Sequence, residues 1–102
     1  KEVQIMDEQA REKLPDNVVF VGQKPPMAYV LGVVTQLSNG QKEVFLKARG
    51  RSISKAVDVA EIVRRKFVQD AKVSNIDIGT EERQLETGQK INVSSISIAI
   101  TK

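Results

Sequence analysis

Two strand-then-helix units in succession, followed by two runs of alternating isoleucines, predict a layered α/β or α+β domain in which helices cover one sheet. At 102 residues there is room for one domain, able to hide about 65% of its extended-chain surface and so to fold without staples. Each element has its own local warrant. Residues 1–16 are charged and polar, closed by Pro15, and read as a flexible arm with at most a helical turn at Asp7 to Lys13. Asn17 to Gly22 is a short β-branched run between turn formers, the mark of a buried strand. Pro25 and Pro26 suit a first helical turn, where a missing N–H is no loss. Met27, Val30, Leu31, Val34 and Leu37 then recur at helical spacing until Asn39-Gly40 stops them.

Glu43 to Ala48 alternates, with Val44, Leu46 and Ala48 on one face, and runs into Arg49-Gly50-Arg51. Ser52 or Ser54 can cap the second helix, whose apolar stripe is Ala56, Val59, Ala60, Val63 and Phe67. In the last third, Ile76 and Ile78 pair with Ile96, Ile98 and Ile100 as an extended hairpin. A two-residue turn at Thr87-Gly88 sets Leu85 opposite Lys90 and Arg83 opposite Asn92. For Ile78 to lie directly opposite Ile98 on one face, one extra residue must then be absorbed, as a bulge near Ser94-Ser95. About seven residues per strand give a projection on the order of 20 Å that one protomer cannot cover.

Composition removes most chemistry. With no Cys and no His, disulfides, thiolate nucleophiles, the commonest general base and the usual zinc ligands are absent. The carboxylates form no metal-binding pattern, so neither cofactor nor metal is expected, and the chain does not read as an enzyme. No apolar run approaches the roughly 20 residues of a membrane span, and a cytoplasmic setting is expected. The net charge of +3 is unevenly spread: Gly22 to Phe67 holds nine Lys or Arg against Glu43, Asp58 and Glu61, while the flanks are acidic. A basic stretch of this kind suits an acidic partner.

The strongest constellation is Arg49-Gly50-Arg51-Ser52-Ile53-Ser54-Lys55. Three cations and two hydroxyls sit at a strand-to-helix junction, where free backbone N–H groups favour phosphate, and Gly50 permits close approach. If the first two strands are parallel, Gln23 and Lys24 emerge on the same edge and extend the patch. The hairpin holds Arg83 and Lys90, but also Glu81, Glu82 and Glu86. Phe20 and Tyr29 read as core rather than as stacking platforms, and Phe67 as core with room for a subunit contact.

The segments NVVFVGQKPPMAYVLGVVTQL, EVFLKARGRSISKAVDVAEIVRRKF and SSISIAI resemble the Alba family of archaeal chromatin proteins, over Asn17 to Lys102. The resemblance implies a two-layer β-α-β-α-β-β sandwich like the C-terminal domain of translation initiation factor three, with a long hairpin between its last two strands. It also implies homodimers on duplex backbones, with the hairpins along the minor groove. Lys24, Lys47, Arg49 and Arg51 match the family's nucleic-acid contacts, Arg83 and Lys90 lie in the matching hairpin, and Phe67 matches an aromatic between dimers. Where many members have Gly-Lys-Lys-Pro with an acetylated first lysine, this chain has Gln23.

The expected function is non-sequence-specific coating and compaction of double-stranded DNA, bound to the archaeal nucleoid. The alternatives are RNA binding in a ribonucleoprotein and an adaptor that heterodimerises with a paralogous chain.

Overall fold

The computed structural model describes residues 17–102; the arm expected over 1–16 lies outside them. In chain order come β1 (Val18–Phe20), α1 (Pro26–Ser38), β2 (Glu43–Arg49), α2 (Ile53–Ile62), β3 (Lys72–Gln84) and β4 (Lys90–Thr101), the expected β-α-β-α-β-β order. A 3₁₀ turn at Gly50–Ser52 leads into α2, and a π-helical turn at Val63–Phe67 leaves it. The strands form one sheet in the order β1-β2-β4-β3, with β1 parallel to β2 and β4 antiparallel to both its neighbours.

Alternation along the strands sorts side chains between two faces. Val44, Leu46 and Ala48 of β2, with Ile98 and Ile100 of β4, turn towards the helices and are buried. Against them α1 sets Val30, Val33 and Leu37, and α2 sets Ala56, Val59 and Ala60, with Val63 just beyond. Each fully buried valine or leucine contributes about 1.5–3 kcal/mol relative to exposure. The first-helix stripe therefore needs correction. Val33 is in the core, while Met27 and Leu31 are 45% and 56% exposed, because at about 100° per residue they fall to one side of the buried Val30-Val33-Leu37 arc. Ser52 does occupy the position before α2, but its side chain caps nothing. The 3₁₀ turn has already wound it into helical φ/ψ, whereas capping needs an extended residue. Phe67 is 46% exposed: the Val68 N–H bonds back to the Val63 carbonyl, and this wider turn rotates Phe67 off the stripe.

The hairpin differs from expectation in register. Ile78 pairs with Ile96 and Ile76 with Ile98, continuing to Gln84 opposite Lys90, and the one irregularity in the β3–β4 ladder lies between Val73 and Asn75. No bulge is needed near Ser94-Ser95. The Leu85 N–H donates to the Gln89 carbonyl and the Gly88 N–H to that of Leu85, so Glu86-Thr87-Gly88 is a three-residue loop. Gly88 takes its left-handed position at φ +88°, which a side chain would resist. A loop of odd length keeps the isoleucines on one face without further adjustment. β4 parts from β2 after Ser95, and from there the two-stranded ladder and its loop project about 20 Å.

Candidate nucleic-acid interface

Because β1 and β2 are parallel, their following loops leave the sheet at one edge. The Gly22–Lys24 segment is held there from both sides. Tyr29, in the first turn of α1, accepts hydrogen bonds at its hydroxyl from the N–H groups of Gly22 (2.9 Å) and Lys24 (3.0 Å). Lys55, in the first turn of α2, donates from its Nζ to the carbonyls of Gly22 (2.9 Å) and Lys24 (2.8 Å). These four bonds leave the loop's backbone few alternatives and tie it to the segment that follows β2. Lys55 therefore braces the site, and its ammonium is already engaged by two carbonyls. Tyr29, read from sequence as core, sits at the core's margin and organises the loop through its hydroxyl.

The other side of the cluster is Arg49-Gly50-Arg51. Gly50 adopts φ +58°, a left-handed turn that lets β2 reverse directly into the 3₁₀ turn and sends Arg49 and Arg51 out at the strand end. Gln23, Lys24, Arg51 and Ser54 are exposed. Arg49 lies 3.6 Å from Glu81 of the hairpin, with both side chains about half exposed, a pairing worth at most about 1 kcal/mol in water. Lys47 is exposed on the sheet face turned away from the helices, beside Phe20 and Ser97. Lys24, Arg49 and Arg51 thus lie at neighbouring chain reversals, with Lys47 one strand step behind.

The two hairpin cations are separate from this cluster and from each other. Arg83 and Lys90 fall on opposite faces of the arm by strand parity, and Lys90 lies 3.8 Å from Glu82. Sequence reading misplaces Phe20. It is 50% exposed on the open face, not core. The signal lies in the strand period: Val19 and Val21 face the helices, so Phe20 between them must face away.

Such an arrangement is suited to phosphates, through point charges and fixed backbone. Among the described residues no cluster of three or more His, Cys, Asp or Glu could hold a metal. A family model described as Alba matches residues 17–80. The chain belongs to the Alba family. The DNA/RNA-binding protein Alba of Methanocella arvoryzae is 58% identical over 87 residues, which cover 85% of this chain and 91% of that one. The solved Alba of Thermoplasma volcanium superposes with a TM-score of 0.80 at 55% identity, over 84% of this chain and all of its own. An Alba protein of Trypanosoma brucei gives 0.71 at 30% identity, over 88% and 72% of the two chains. The Alba relatives of Methanocella arvoryzae and Archaeoglobus fulgidus are DNA/RNA-binding proteins. No described helix is long and apolar enough to cross a membrane.

A second surface lies on the helix side at the β3 edge. Val57, Ala60, Ala71, Val73, Ile76 and Ile98 line an apolar groove bordered by Glu61 and Arg64, with Val57 42% and Ile76 56% exposed. Arg64 donates to Glu61, with Arg65 close by, and this holds the Glu61 carboxyl below the ordinary carboxylate range.

Proposed function

We propose that this chain is a chromatin protein that coats and compacts double-stranded DNA as a homodimer, with little sequence preference and in association with the chromosome. The observation that supports the reading is the Lys55 brace, which ties the Lys24 loop to the start of α2 just after Arg49-Gly50-Arg51 and so brings these chain reversals together. These side chains suit phosphates rather than base edges, so affinity comes from counterion release and is nearly blind to sequence. The apolar groove along Val57 and Ile76 supports self-association, since exposed aliphatic surface of this kind is stabilised by a second copy. Two copies double the cationic surface and carry two hairpin arms. Phe67, exposed at the end of the π turn beside Arg64, Arg65 and Lys66, suits contact between neighbouring dimers.

The test is a salt titration of binding to duplex DNA of two unrelated sequences. Log K is expected to fall linearly with log salt, alike for both. Arg51→Ala is expected to flatten the slope by about one unit for each phosphate that the arginine no longer neutralises. A slope unchanged by that substitution, or a strong preference between the duplexes, overturns the reading. RNA is the second reading, favoured by the exposed Phe20, because unpaired bases seek aromatic faces.

A further inference from the structure

The open face of the sheet carries a row of side chains that duplex binding does not use as a set. Register puts Phe20 beside Lys47, Lys47 beside Ser97, and Ser97 beside Asp77. The adjoining row brings Arg49 beside Ser95. Together Phe20, Lys47, Arg49, Asp77, Ser95 and Ser97 line a shallow groove of about 430 Å³, within the range of small-ligand sites. Ser95 and Ser97 line it from β4, the half-exposed Phe20 stands at one side, and its two cations share it with the carboxylates of Asp77 and Glu81, the latter 3.6 Å from Arg49.

We infer that this groove seats one unpaired nucleobase of a single-stranded segment. Phe20 stacks on the base face. Lys47 takes one flanking phosphate, and Arg49, two residues on and about 6.6 Å along the strand on the same face, takes the other by exchanging its Glu81 partner for it. Asp77 has one oxygen, Oδ2, accepting from the Asn75 amide at 3.1 Å; its other oxygen accepts from an exocyclic amino group, which selects cytosine or adenine over uracil. Three features favour this occupant over an apolar one. The groove is continuous with the basic cluster through Arg49, it is lined by Ser95, Ser97 and Asp77 as well as apolar residues, and its single aromatic is half exposed where an aliphatic side chain would satisfy the fold. Stacking of this kind is worth about 1–3 kcal/mol per base. The site rests on the nucleic-acid reading above and adds the class of strand and the base it prefers.

The chain has no Trp, so Phe20→Trp in the full chain supplies a single reporter. Short oligocytidylate RNA is expected to quench its emission, while a DNA duplex leaves it nearly unchanged. Phe20→Ala is expected to weaken oligocytidylate binding by about 5- to 150-fold and duplex binding by less than about twofold, with Phe20→Tyr restoring the single-strand affinity. Asp77→Asn is expected to shift preference from oligocytidylate towards oligouridylate. Equal losses on both nucleic acids, or no loss on either, overturn the inference. So does a buried emission in the free protein that becomes exposed on removing residues 1–16, which makes that segment the occupant. An emission that shifts with protein concentration assigns the face to a second copy and overturns it too. If duplex binding stays sensitive to Arg51 while the indole reporter is silent, only this inference fails. If no nucleic acid binds, the broader reading fails with it.

Discussion

In the body of the molecule the two-residue alternation of β2 ends beneath two helices, where Val44 and Leu46 are wholly buried. In the arm the same alternation runs on through β3 and β4, yet every residue from Gly79 to Asn92 is exposed. Backbone pairing is as regular in one as in the other. What differs is whether anything lies against the faces, and that separates stability from function. The body carries the folding energy. The arm contributes hydrogen bonds whose loss to water costs little, and it persists as a surface for something outside the protomer.

The first way to break this comparison is to remove equivalent mass from each region. Leu46→Ala is expected to destabilise the protein by about 2–5 kcal/mol, because it leaves a cavity between β2 and the helices. Arg83→Ala, on the exposed arm, is expected to stay within about 0.5 kcal/mol of the parent. Denaturant midpoints measured on both variants check the contrast. Similar losses would mean that the arm is part of the cooperative core.

Between the two regions lies the edge where Ile76 meets the apolar groove. Ile76 is more than half exposed in the protomer, so Ile76→Lys should fold as the parent does by circular dichroism. In the proposed dimer the added ammonium has to be buried without a partner, which weakens association at least tenfold, about 1.4 kcal/mol. Sedimentation at graded concentrations reads this directly. An unchanged monomer–dimer equilibrium would move the interface elsewhere.

Much of the body can be read from the chain alone, for a physical reason: burial on one face imposes a period that a sequence displays. The order of elements, the core positions of β2 and α2, and the meeting of Lys24 with Arg49 and Arg51 all follow from periodicity and parallel pairing. The misreadings fall where that constraint weakens. Phe20 reads as core because a run of four apolar residues hides its own alternation. The hairpin register escapes because exposed residues carry no period, and only the Glu86-Thr87-Gly88 loop chemistry could set it. Tyr29 and Lys55 give no signal at all as loop braces, since their partners are backbone atoms of another segment.

The smallest expected effect on stability tests whether the two regions communicate. Among the described residues, Arg49–Glu81 is the one ion pair joining body and arm. Both side chains are about half in water, so Glu81→Gln is expected to change stability by less than about 1 kcal/mol. Its effect on binding has a definite sign. A phosphate has to displace Glu81 to reach Arg49, and the carboxylate itself repels the duplex, so removing its charge is expected to raise duplex affinity about two- to fivefold at low salt. The gain should shrink as salt screens the exposed pair. Parallel titrations of parent and variant at low and high salt decide it. Unchanged or weaker binding would mean that Glu81 holds Arg49 in position for the duplex, and the arm would then be a positioning element for the body rather than a competitor for its charge.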